Sequence, residues 1–242
     1  MLSKKEIKDI QSLSLKKHRD ETKLFIAEGP KIVSELAQLI PFQIQMIYGL
    51  EDWVKQCTGL IEPSKFTIIS QTELERISGL QTPNNAVAVI KQFSSVEPVI
   101  FSFALYLDTI QDPGNFGTII RTADWFGVQN IICSTGCADL YNSKVVQSTM
   151  ASIARVDVYY DEEDKWLGKQ SVPKYAATLN GRPVLQFEKT NHGILLVGNE
   201  SKGLRKEVVE MATEKITIPR KGSAESLNAA VASGIILSHL LS

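Results

Sequence analysis

The run Phe103-Ala-Leu-Tyr-Leu107, followed by Asp108-Thr-Ile-Gln-Asp-Pro-Gly-Asn-Phe-Gly117 and Thr118-Ile-Ile-Arg121-Thr-Ala123, decides the fold. A short continuous apolar stretch reads as a buried strand. The turn behind it, with two glycines and a proline, leads into a helical pattern, Thr118–Phe126, ended by Gly127. The rhythm recurs downstream: strand candidates Asn130–Cys133, Ile194–Val197 and Ile216–Ile218 alternate with helix candidates Leu204–Met211 and Ser226–Leu240. Uninterrupted apolar strands between helices indicate an α/β fold whose parallel sheet is covered on both faces. Ligands of such sheets sit beyond the carboxyl ends of the strands. The three strand-to-helix loops are therefore the candidate site.

In the first loop Asn115 is a candidate helix cap, and Arg121 falls in the opening turns, where the helix dipole disfavours a cation. An Arg121–Asp124 pair at i,i+3 on a solvated face fits the same spacing. The second loop, Gly198-Asn-Glu200-Ser-Lys202-Gly203, brackets an acidic residue with glycines, and Glu200 also suits the start of the helix that follows. The third, Pro219-Arg-Lys-Gly222-Ser-Ala-Glu-Ser226-Leu-Asn228, offers Ser226 or Ser223 as a cap and leaves Asn228 less easily explained, since asparagine is a poor residue inside a helix. Ala229, Ala230, Ala232, Ser233 and Gly234 form a small-residue surface that a core helix or a subunit contact would both use.

Toward the N-terminus, the polar stretch Gln92–Pro98 separates this half from another alternating region. There an amphipathic helix is expected over Glu6–Lys17, strands at Leu24–Ala27, Gln43–Tyr48, Phe66–Ile69 and Ala86–Ile90, and helices at Lys31–Leu39 and Thr72–Ile77. Two domains follow, residues 1–95 and 99–242.

The composition is that of an ordinary globular chain: 242 residues, 43% hydrophobic and 22% charged. A net charge of −1, from 26 basic and 27 acidic side chains, excludes a nonspecific polycation, so nucleic-acid binding would need a local patch. Lys16, Lys17 and Arg19 form one cluster; Lys202, Arg205, Lys206, Arg220 and Lys221 flank the second and third loops. The apolar run Ala229–Leu241 is interrupted and falls short of the roughly 20 residues of a membrane span. Met1–Ile10 is too charged for a signal peptide. Cys57, Cys133 and Cys137 suggest neither a zinc site nor a disulfide framework. A cytoplasmic protein with reduced thiols and no metal is expected.

Taken together, the three loops resemble the signature motifs of the SpoU (TrmH-like) RNA 2′-O-ribose methyltransferases of the SPOUT superfamily. Asn115, Gly117, Arg121 and Ala123 match the first motif. Leu195, Leu196, Val197, Gly198, Glu200, Gly203 and Leu204 match the second, and Ile218, Pro219, Gly222, Ser226, Leu227 and Asn228 the third. Lys16 to Gly29 is similar to the start of the small L30e-like substrate-binding domain that precedes many such catalytic domains. The resemblance implies a C-terminal SPOUT domain with a trefoil knot, S-adenosylmethionine as cofactor, and a homodimer. Its substrate would be RNA, 23S ribosomal or transfer, with no DNA or membrane involved. By the same analogy Gly198, Ile218 and Leu227 contact the cofactor, with Leu196 and Thr178 as further candidates.

The resemblance makes Arg121 the group that activates the 2′-hydroxyl. A guanidinium is a poor base in water, so its expected part is to position a phosphate and support the developing alkoxide. Asn115, Glu200, Ser226 and Asn228 would complete the hydrogen-bond frame. Lys202 and Arg205, with Lys16, Lys17 and Arg19, are the expected RNA contacts. A noncatalytic RNA-binding protein of the same fold is the rival reading; the joint presence of Arg121, Glu200, Ser226 and Asn228 argues against it.

Overall fold

The computed structural model describes residues 1–57 and 59–242, which form two compact units. The first unit comprises residues 1–94 and 139–154. Its elements are α1 (Lys4–Ser12), α2 (Lys16–Thr22), β1 (Leu24–Glu28), α3 (Pro30–Leu39), β2 (Ile44–Gly49), α4 (Glu51–Gln56), β3 (Phe66–Ile68), α5 (Gln71–Ile77) and β4 (Ala86–Lys91). Among the described residues the strands form one mixed sheet in the order β1-β4-β2-β3. Ser3 and Ser70 open α1 and α5 with reciprocal capping boxes to Glu6 and Glu73. Pro30 occupies the first helical position of α3, where its missing N–H costs nothing.

The single helix expected over Glu6–Lys17 is two helices. Ser12 and Ser14 turn their hydroxyls onto the Asp9 and Gln11 carbonyls, competing with helix continuation. The carbonyls of Leu13 and Ser14, freed at the break, each accept from Arg19 Nη1 at 2.8 Å. Arg19 is only 3% exposed, and its Nη2 meets the Asp139 carboxylate at 2.5 Å. It therefore holds this unit together and, being buried and paired, is not presented to RNA as the basic cluster suggests.

The second unit comprises residues 95–138 and 155–242. It begins with β5 (Phe103–Asp108), α6 (Pro113–Trp125) and β6 (Asn130–Ser134). The chain then supplies α7 (Ser143–Thr149), which belongs to the first unit and packs on β1 there. Tyr141, just ahead of it, lies 4.9 Å from the Phe25 ring and 6.2 Å from Phe93, centroid to centroid, and its hydroxyl accepts from the Phe93 N–H. So a piece of the downstream half completes the core of the upstream one. Asp139→Ala is expected to destabilise the protein by about 3 kcal/mol in urea unfolding. That is the low end for stranding one partner of a buried ion pair, because Asp139 is itself 21% exposed.

The second unit continues through β7 (Asp157–Asp161), β8 (Lys174–Pro183), β9 (Gly193–Gly198), α8 (Lys206–Glu210), β10 (Glu214–Thr217) and α9 (Ala229–Leu241). Among the described residues its sheet runs β10-β8-β9-β5-β6-β7, and every pairing is parallel. Chain order reverses around β5: β6 and β7 lie to one side, β9 and β8 to the other. This is the crevice position at which open α/β sheets bind ligands. Phe103 to Asp108 and Ile194 to Val197 are buried throughout, as their unbroken apolar character requires. Sequence reading did not anticipate β7 and β8. The first is short and flanked by charge; the second carries Asn180, Gly181 and Pro183, residues rare in strands. The last helix begins at Ala229 rather than Ser226, and α8 spans less than Leu204–Met211. Among the described residues no helix is long and apolar enough to cross a membrane.

Candidate active site

The first loop does not use Asn115 as its cap. Pro113 takes the first helical position, so the cap falls to Asp112, whose Oδ1 accepts from the Asn115 N–H at 2.8 Å. Asn115 thus lies inside the first turn of α6 with its side-chain amide available. That amide donates from Nδ2 to Glu200 Oε1 at 2.5 Å and accepts, at Oδ1, from Asn228 Nδ2 at 2.7 Å. Asn228, in turn, is the cap of α9: its Oδ1 accepts from the N–H groups of Ala230 and Val231 at 2.9 and 3.2 Å. The residue that fitted poorly inside a helix sits just outside one, and neither Ser223 nor Ser226 caps it. Residues 115, 200 and 228 from three separate loops form one hydrogen-bonded chain.

Beside that chain lies a cavity of about 1020 Å³ at the carboxyl ends of β9 and β10 and along the middle of β8. Gly198, Ile218, Leu227 and Thr178 line it, as do Glu200 and Ser226. Thr178 Oγ1 is buried there with no hydrogen-bond partner among the described residues, so it is an unmet polar group in the wall. Leu196 does not line the cavity; fully buried in the middle of β9, it packs in the sheet core. Lys202, Arg220 and Lys221 also line the cavity, and all three are exposed.

Arg121 lies on the exposed side of α6, past the opening turns, and makes no hydrogen bond or ion pair among the described residues. The Arg121–Asp124 pair does not form, because Asp124 binds Arg155 at 2.8 Å. Arg121 is six residues beyond Asn115 on the same helix, about 9 Å along the axis, and is not among the cavity-lining residues. Lys16 and Lys17 are exposed but engaged with Asp20 and Glu21 at 3.0 and 4.0 Å, the weak i,i+4 kind of pair.

Arg205 departs most from expectation. Its Nε donates to Asp108 Oδ1 at 2.7 Å, and its Nη1 and Nη2 reach the Asp164 carboxylate at 2.6 and 3.2 Å. Two carboxylates already neutralise it, so it is not a free cation for RNA. Hydrogen bonding to Arg205 in turn holds the Asp164 carboxyl below its ordinary range. Asp108 and Asp164 went unremarked in the sequence reading. The available signal was an aspartate closing the apolar run Phe103–Leu107, which the structure buries completely.

Residues 102–238 match the model of the SpoU rRNA methylase family, and residues 4–88 that of the MRM3-like substrate binding domain. The chain is 31% identical to the 23S rRNA (guanosine(2553)-2′-O)-methyltransferase RlmP of Bacillus subtilis, over 97% of this chain and 95% of that one. A TrmH-family protein from Porphyromonas gingivalis superimposes with a TM-score of 0.88 at 35% identity, covering 99% of this chain and 98% of the other. An AdoMet-bound rRNA methyltransferase from Sinorhizobium meliloti does so with a TM-score of 0.86 at 31% identity, covering 99% and 95%.

Proposed function

Since this chain belongs to the SpoU rRNA methylase family, we propose that it methylates the 2′-hydroxyl of a ribose in 23S ribosomal RNA, with S-adenosylmethionine as methyl donor. The observation that carries the reading is the bonded chain Asn228–Asn115–Glu200 at the rim of the cavity. The cavity suits the donor. Its glycine-bounded loops offer backbone groups at Gly198, Ile218 and Leu227, and Thr178 Oγ1 is a buried polar atom still wanting a partner. When bound, the sulfonium supplies an electrophilic methyl group.

The protein must align the ribose oxygen with that methyl group and support the charge that develops as the hydroxyl proton leaves. Alignment alone is worth up to about 7–11 kcal/mol. Asn115 is fixed at both ends of its amide, so Glu200 is held without freedom to swing. Ser226 adds a hydroxyl to the wall. Arg121, carrying no internal partner, is the group left to meet the nucleotide's phosphate and stabilise the alkoxide. Lys202, Arg220 and Lys221 extend positive charge along the mouth, with Lys16 and Lys17 as further contacts on the other unit.

The decisive experiment incubates the protein with methyl-labelled S-adenosylmethionine and total bacterial RNA, then maps the labelled nucleotide. Label on a 23S ribose is the expected result; label on transfer RNA would change the substrate, and label on a base would overturn the reaction. RNA binding should weaken steeply between about 50 and 200 mM salt, as phosphate contacts require; affinity unchanged over that range would contradict the basic rim.

The reading includes a trefoil knot in the second unit, as the family resemblance implies, and the strand order β10-β8-β9-β5-β6-β7 is compatible with it. It also includes a homodimer. Trp125 on α6 is 84% exposed, and Val231 and Ile235 on the adjoining α9 are 51% and 40% exposed, an apolar face suited to a second copy. Light scattering at twice the 26.8 kDa chain mass would support it, and a monomer would not. A cytoplasmic setting fits both an RNA substrate and three free thiols.

A further inference from the structure

We propose that Asp108 and Arg205 form a clamp that holds the Asn199–Gly203 loop, and through it Glu200, in the geometry needed for methyl transfer. The inference rests on the reaction assigned above and gives neither residue any contact with RNA or donor. Both are positioning residues.

Asp108 closes β5 and is completely buried. A carboxylate in such a place must be satisfied by donors. It accepts from Ser134 Oγ at 2.9 Å, from the Arg205 backbone N–H at 2.8 Å and from Arg205 Nε at 2.7 Å. Asp108 is also the register partner of Gly198 across the β5–β9 pairing. The loop therefore leaves the sheet beside the Asp108 backbone at Gly198, and its far end is drawn back to the Asp108 carboxylate at Arg205. Both ends meet at one buried residue.

The loop is also closed on itself. Asn199 and Gly203 exchange backbone hydrogen bonds at 3.1 and 2.8 Å. Asn199 Nδ2 donates to the Thr109 carbonyl at 3.0 Å, and its Oδ1 accepts from the Ser201 and Lys202 N–H groups. Thr109, whose N–H donates to Ser134 Oγ, thereby links the loop back to the clamp. On the outer side the Arg205 guanidinium is braced by Asp164, which also accepts from Thr135 Oγ1 at 3.4 Å. Loops after β5, β6, β7 and β9 thus converge on one ion-paired centre. Glu200 is the loop residue whose side chain leaves this framework for Asn115.

A double-mutant cycle separates positioning through Glu200 from a general contribution to folding. Arg205→Ala should lower kcat for RNA methylation about 30–100-fold, the scale of a misplacement near 1 Å, with KM for RNA within about threefold. In a Glu200→Ala background the same change should cost less than about threefold more. Arg205→Lys, which keeps the backbone bond and one ammonium contact, should fall between. Losses that multiply in the double variant, or an Arg205→Ala enzyme within twofold of wild type, would overturn the proposal. Hydrogen exchange of the peptide over residues 199–204 reads the clamp without any RNA. Exchange at least tenfold faster in Arg205→Ala, with β5 and β9 unchanged, is expected, and an unchanged loop refutes the clamp. Should Arg205→Ala not fold, Asp164→Asn leaves the Asp108 contacts intact and is expected to loosen the same peptide. A wild-type protein that methylates no RNA would defeat the assigned reaction instead, with the exchange measurement still deciding the clamp.

Discussion

Arg121→Ala is expected to lower the rate of methyl transfer by about 10²–10³-fold, with RNA affinity reduced less than tenfold. Removing one donor that supports a developing oxyanion costs this much where it has been measured in other enzymes. The site gives Arg121 no other occupation: it is exposed on α6, and the neighbouring carboxylate of Asp124 is taken by Arg155. Arg121→Lys keeps the charge and loses the planar fork that matches a phosphate, so it recovers only part of the rate. Single-turnover kinetics with saturating RNA measure the step. Near-normal turnover in either variant would remove Arg121 from the chemistry.

The second large effect is at Gly198. A methyl group built there would lie 2.2 Å from the Leu204 backbone nitrogen and 2.3 Å from the Gly203 carbonyl carbon. Both are main-chain atoms, so no side chain can swing aside to make room. In Gly198→Ala the loop must open, which reshapes the cavity wall and carries Glu200 away from Asn115. Binding of S-adenosylmethionine, followed by calorimetry, should weaken by about 10–100-fold, the scale of the roughly 1–3 kcal/mol that overpacking a filled site costs. Gly168→Ala is the control, because nothing lies within 4 Å of the corresponding position; it should leave binding and turnover within twofold. Donor affinity retained in Gly198→Ala would mean that this loop does not shape the pocket.

The loop that Gly198 opens and the helix start that leads to Arg121 were both legible from sequence, and for a physical reason. Turn glycines, caps and strand ends are local chemistry, written within a dozen consecutive residues. The poor fit of Asn228 to a helix interior was itself a signal, and its position as the cap of α9 accounts for it. Arg19 could not be read this way. Lys16, Lys17 and Arg19 look alike as a basic cluster, and only the approach of Asp139, 120 positions away, turns the last of them inward. Arg205 was misleading for the same cause: a cation beside a motif suggests phosphate, until two distant carboxylates are brought to it by strand order. Leu196 shared its apolar run with Val197 and Gly198. Only the latter two reach the cavity, because they are the last residues of β9, at its carboxyl end, while Leu196 lies one step further back inside the sheet.

The placement of residues 139–154 in the first unit has a consequence for how the chain is made. Synthesis delivers residues 1–94 and then about 60 more before the last part of that unit exists, an interval on the order of 3–12 s at 5–20 residues per second. Until then Phe25 lacks Tyr141, and the Arg19 guanidinium lacks its carboxylate. The nascent N-terminal portion emerges from the ribosome as an unfinished body, one that a chaperone could engage, and that begins its final closure only after the first third of the downstream portion has been translated.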